Sequence, residues 1–194
     1  FSVYACENVE VQNCIAIDSD HSEFWFSDEV GGAFYVPSTD GPAIHNVFRG
    51  NIALNLDMSP GNLSKNLSDI TYENFVGWHL REGVYARDSA LYNHCVFGDF
   101  YGPPRFTVTT GFRYSEGDDP TNATRVQNSV LQNVQGTALN NLASEDYNVF
   151  YSNLSNVVNM PAGAHSTNAN PALQYLVRIE PGHALLKGTA SDGG

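Results

Sequence analysis

Val11-Gln12-Asn13-Cys14-Ile15 is the first of six look-alike pentapeptides. The others are Phe48-Arg49-Gly50-Asn51-Ile52, Tyr72-Glu73-Asn74-Phe75-Val76, Tyr92-Asn93-His94-Cys95-Val96, Val126-Gln127-Asn128-Ser129-Val130 and Asp146-Tyr147-Asn148-Val149-Phe150. Aligned as columns, the last position reads Ile, Ile, Val, Val, Val, Phe and the middle one Asn, Gly, Asn, His, Asn, Asn. The first position is apolar or aromatic in five of the six. Successive repeats begin 37, 24, 20, 34 and 20 residues apart.

A recurring element that cannot bury its own apolar face is stabilised by stacking on its neighbours. Side chains two apart in a strand share a face. By that rule Val9, Val11, Asn13, Ile15 and Ile17 all point inward, and the Asn column forms a hydrogen-bonded ladder beside an aliphatic spine. The expectation is an all-β, right-handed parallel β-helix solenoid, a single domain over residues 1–194 with a C-terminal run-out or cap over 160–194. A helical solenoid would need a 3.6-residue apolar period, which is missing. A β-sandwich would not call for the same Asn–x–aliphatic element six times.

Two long loop excursions interrupt the repeats, from Asp18 to about Pro42 and from about Gly98 to Thr124. Function on a rigid scaffold concentrates on such loops. Trp25, His21, Tyr101 and Tyr114 are the carbohydrate-binding candidates, since sugar faces stack on rings. Asp18, Asp20 and Glu23 alternate in a way that could present oxygens to a hard cation, Ca2+ being the cofactor they suit. The stretch lacks the glycine and closing Glu of an EF-hand loop. Arg81, Arg87 and Arg105 are the catalytic candidates, because a polysaccharide lyase needs a base beside a neutralised uronate carboxylate. No acid–base set is identifiable among them, and a hydrolase's facing carboxylates cannot be paired from sequence.

The chain carries 21 acidic against 9 basic residues, a formal net charge of -12. That argues against nucleic acid, whose binders cluster Lys and Arg. No apolar run reaches the ~18 residues of a membrane helix, so membrane insertion is not expected. The three cysteines match neither a disulfide framework nor a zinc pattern, although Cys6 and Cys14 could pair. They read as small apolar members of a buried stack. Asn62, Asn66, Asn122 and Asn153 open glycosylation sequons, which matter only in a eukaryotic secretory setting. His45, His79, His94, His165 and His183 lack metal-helix spacing; His94 falls in the Asn column, and Trp78 reads as core. A chain that begins at Phe1 and stops at Gly194 is expected to belong to a longer or processed protein.

Gly83-Val84-Tyr85-Ala86-Arg87-Asp88-Ser89, followed by Ala90 to Val96, resembles the generic repeat of the pectate-lyase-like superfamily of parallel β-helix proteins. The stretch Asn148 to Asn153, then Asn170-Pro171-Ala172-Leu173, then Ile179 to Leu185, is similar to the C-terminal run-out of secreted or surface bacterial members. Those usually carry Asp-Pro at Asn170-Pro171 and Ser-Pro at His183-Ala184. The resemblance covers nearly the whole chain and implies the fold only, since the superfamily's activities range from lyases to phage fibres. The expected function is therefore an extracellular or cell-surface segment, structural or contacting carbohydrate. The alternatives are a polysaccharide lyase or other carbohydrate-active enzyme, and a trimeric fibre or adhesin component. Expected partners are polysaccharide and, at the open ends, further coils or copies of the chain itself.

Overall fold

A computed structural model describes residues 6–17, 32–36, 43–56, 59–63, 67–80, 83–86, 89–100, 110–114, 123–173 and 191. These form strands and turns, with no helix among the described residues. Every strand pairing is parallel. The first sheet contains Glu10–Gln12, Val47–Arg49, Ile70–Glu73, Ala90–Asn93, Arg125–Gln127 and Ser144–Asp146, in that order. The second holds Ile15–Ile17, Ile52–Leu56, Val76–Leu80, Val96–Phe100, Val130–Val134, Val149–Tyr151 and Thr167–Asn168. The third holds Gly32–Val36, Ser59–Leu63, Val84–Ala86, Thr110–Tyr114, Thr137–Asn140 and Ser155–Val158, and Ala43–Ile44 pairs with Leu67–Ser68 in a small fourth. The chain visits the first, second and third sheets in turn, so each circuit, or rung, lies on the one before it.

The pentapeptides are the corner between the first and second sheets. Ile15, Ile52, Val76, Val96 and Val130 are register partners in sequence, as their column requires. The next partner is Val149, not Phe150, and Arg125 pairs with Ser144, so the last interval is 19 residues rather than 20. The corner residue of that rung is Tyr147, with φ 56, and Asn148 turns inward beyond it. Tyr147 is held there by its N–H on Asp146 Oδ1 and by its ring stacked on His165.

The middle column is the corner itself. Asn13, Gly50, Asn74, His94, Asn128 and Tyr147 all have φ between 51 and 65. That left-handed region strains a side chain with a Cβ, least so for Asn, which explains its frequency here. Because the corner interrupts the strand, alternation restarts after it, and the inward reading of Asn13, Ile15 and Ile17 is corrected. Asn13 is exposed, and Ile15 and Ile17 are 56% and 54% exposed on the outer face. Cys14 and Ala16 pack against the core instead.

The core consists of stacked columns. Phe48, Tyr72 and Tyr92 lie ring on ring at 4.8 Å, and Phe75 stacks on Phe97 at 5.7 Å. Each such pair adds about 0.5–1.5 kcal/mol beyond its area. Burial pushes the phenols of Tyr72 and Tyr92 well up.

Four amide side chains do bond between rungs, but each stands one residue past a corner and reaches backbone groups rather than another Asn. Asn46, Asn51, Asn148 and Asn153 each follow a positive-φ residue and each reach back to the preceding rung. Asn51 Oδ1 accepts the Cys14 N–H at 2.8 Å, while its Nδ2 donates to the Val11 carbonyl. Asn46 does the same to Val9 N–H and Cys6 O, Asn148 to Ser129 N–H and Val126 O, and Asn153 to Val134 N–H and Leu131 O. These arms satisfy the backbone groups that the corner takes out of the ladder.

Residues 160–169 close over the last rung. The Leu142 N–H donates to Met160 Sδ, and the Thr167 and Ala169 N–H groups donate to the Asn148 and Phe150 carbonyls. Glu145, 4% exposed, receives the Gly163 N–H, the Ser166 hydroxyl and the Asn148 amide. A Cβ on Gly163 would stand 2.3 Å from the Glu145 carbonyl oxygen, so only glycine allows this approach.

The two expected excursions are shorter than their sequence limits. Each contains a regular third-sheet strand, Gly32–Val36 in the first and Thr110–Tyr114 in the second. Gly98 belongs to the second sheet. All three cysteines are free, with Cys6 exposed, Cys14 partly buried and Cys95 buried.

Candidate functional site

The corner between the second and third sheets is the candidate. The chain leaves the second sheet there after Ile17, Leu56, Leu80, Phe100, Val134 and Tyr151. Two of these departures open long connections, 18–31 and 101–109, while another long one, 115–124, leaves the third sheet after Tyr114. The first two therefore leave from the same corner, on the first and fourth rungs, about 14 Å apart at ~4.8 Å per rung.

Along this corner runs a second positive-φ column: Asn55, His79, Asp99 and Asn133, continued by Ser152. His79 Nδ1 lies 2.7 Å from Asp99 Oδ2, with side chains 46% and 43% exposed. The carboxylate favours the ring tautomer with the proton on Nδ1.

One residue before this column, on the outer face, stand Leu54, Trp78, Gly98, Gln132 and Tyr151 in register. Trp78 is thus outward and partly exposed, and its reading as core is corrected. A Cβ on Gly98 would lie 2.6 Å from Trp78 Cζ3, so the missing side chain is what lets the indole lie across the next strand. Tyr151 is exposed three rungs from Trp78, with Gly98 and Gln132 between them. The Trp78 ring therefore lies beside the polar column on the outer face.

Most expected site residues lie outside the described residues: His21 and Trp25, Asp18, Asp20 and Glu23, Tyr101 and the three arginines Arg81, Arg87 and Arg105, with the sequons at Asn66 and Asn122. Tyr114 and Asn62 are described as backbone in third-sheet strands only. Asn153 is described, and its Nδ2 donates to both Leu131 O and Asn156 Oδ1.

Among the described residues no group of three His, Cys, Asp or Glu could hold a metal ion. Arg49 donates to Glu10 and Glu73 at 2.6 and 2.8 Å, and those contacts push its pKa up. Its charge is committed to the scaffold. His94, read as a ladder residue, stands at a positive-φ corner, and His45 and His165 sit beside Asp69 and Asp146. No helix of the described residues is long and apolar enough to cross a membrane.

The His79–Asp99 pair was missed in the sequence, although both residues fall five positions past the Asn74 and His94 column. Continuing the column alignment that far brings Asn55, His79, Asp99 and Asn133 together. No family model, curated protein or solved structure matches the chain.

Proposed function

We propose that this chain is a right-handed parallel β-helix segment of an extracellular or surface protein, akin to the pectate-lyase-like superfamily, and that its second-to-third corner holds an extended carbohydrate chain. One strand per sheet per rung, all parallel, supports the helix, and the general handedness of parallel crossovers supports its sense. The observation that carries the binding reading is the shared corner. Trp78 and the His79–Asp99 pair lie at the corner from which two long connections, 18–31 and 101–109, depart.

A polymer lying along the stack would meet the Trp78 ring and a row of Asn, His, Asp and Asn side chains at the rung spacing. Sugar rings stack on the first and their hydroxyls bond to the second. Electrophoresis of the protein through gels containing neutral or acidic polysaccharides tests this. At least one polysaccharide is expected to retard the native protein and to retard Trp78→Ala less. Equal mobility in every gel overturns the reading.

The His79–Asp99 pair favours a second reading, a lyase in which His79 removes the proton beside a uronate carboxylate. New double bonds would then absorb in the ultraviolet when the protein meets acidic polysaccharides, with or without calcium. No rise with any of them removes this version and leaves the binding one standing.

A further inference from the structure

In the outer-face row Leu54, Trp78, Gly98, Gln132, Tyr151, Gly98 stands between an indole and an amide. Its φ lies outside the left-handed region, so the backbone does not call for glycine there. Space does. A Cβ would lie 2.6 Å from Trp78 Cζ3 and 3.0 Å from Gln132 Cγ, so the two side chains lean over Gly98 from either side and converge above it. Among the described residues, no hydrogen bond engages the Trp78 indole N–H or the Gln132 amide. The amides of Asn51, Asn148 and Asn153 use donor and acceptor alike on the backbone of the preceding rung. Gln132, partly exposed, uses neither.

We propose that Trp78 and Gln132 form a subsite for one pyranose ring, with Gly98 as the positioning residue that brings them together. This rests on the carbohydrate reading above and narrows it to polymers that carry two free hydroxyls on adjacent ring carbons. A sugar ring stacked on the indole has its edge beside Gln132. A primary amide offers an acceptor and a donor side by side. One hydroxyl of an adjacent pair donates to Oε1 while its neighbour accepts from Nε2. A lone hydroxyl answers only one of the two. A glucan joined through the fourth carbon of each ring keeps such a pair free at the second and third carbons. A glucan joined through the third carbon has no adjacent free pair within the chain.

Electrophoresis through gels of these two glucans tests the proposal. The glucan joined through the fourth carbon should retard the native protein more. Gln132→Ala should raise the dissociation constant for that glucan about tenfold, as expected for the loss of two hydrogen bonds. Gly98→Ala should weaken binding too, but should add nothing in a protein already carrying Trp78→Ala, because its effect runs through the indole. Matching circular dichroism spectra show that each variant folds. Equal retardation by the two glucans, or a Gln132→Ala variant that binds like the native protein, overturns the subsite. A Gly98→Ala loss that persists without the indole overturns the positioning role. In each of those cases, retardation that Trp78→Ala still diminishes leaves the wider carbohydrate reading standing. No retardation by any polysaccharide overturns both.

Discussion

Glu145 lies in register with Val126, so the column that runs Val11, Phe48, Tyr72, Tyr92, Val126 ends in a carboxylate. It points into the same interior, but the chain above it supplies donors instead of another apolar ring. Glu145→Ala is expected to leave the Gly163 N–H, the Ser166 hydroxyl and one Asn148 amide hydrogen without their acceptor. At about 1–3 kcal/mol for a stranded buried group, the loss should total several kcal/mol. The urea midpoint measures it, and Glu145→Gln, which keeps an acceptor, should lose less. Equal losses for the two variants would show that the carboxylate's bonds are not what holds the cap.

Asn51→Ala removes both arms that reach back to the first rung. We expect a destabilisation of about 2–3 kcal/mol, from the stranded Cys14 N–H and Val11 carbonyl more than from lost packing. Asn51→Asp, which keeps the acceptor and loses the donor, should fall between the wild type and the alanine variant. Chemical denaturation of the three proteins checks the order. An alanine variant within 0.5 kcal/mol of wild type, a margin typical of surface changes, contradicts the assigned role.

The closing segment should weaken in acid. Slight burial works to raise the Asp146 carboxyl, but hydrogen bonds from the His165 ring and N–H and from the Tyr147 N–H outweigh it and hold the group below its ordinary value. A folded-state pKa below the unfolded one stabilises fully above the unfolded value, near pH 4, and the benefit vanishes as pH falls through the lower folded value. The thermal midpoints of wild type and Asp146→Asn should therefore converge between pH 5 and about pH 2. A constant gap across that window would assign the effect to something other than this carboxylate.

Burial pushes the Cys95 thiol up to about 12, against the opposing hydrogen bonds at its sulfur and backbone. A thiol reagent at pH 8 should modify Cys6 quickly, Cys14 more slowly and Cys95 only after denaturation. Modification of Cys95 at the Cys6 rate would remove it from the interior.

The strand register was legible in the sequence because Ile15, Ile52, Val76, Val96 and Val130 repeat one local shape. Which way they face was not. Counting by twos holds within a strand, and Asn13 is a left-handed corner that resets the count, so Ile15 and Trp78 both fell on the wrong side. The sixth repeat slipped by one because Asn148 matches the column by residue type, while Tyr147 occupies the corner by conformation. Of the candidate site, Trp25, Arg81 and Arg105 were chosen for their chemistry alone. His79 and Asp99 stand 20 residues apart, and nothing but the register places them side by side.

The backbone-directed arms of Asn46, Asn51, Asn148 and Asn153 all point the same way, from a later rung to an earlier one. The corners they fasten are thus left open until the next length of polypeptide emerges and reaches back. Growth from the ribosome runs in that same direction, so at Asn46, Asn51, Asn148 and Asn153 the newest rung would secure its predecessor while its own corner awaits its successor.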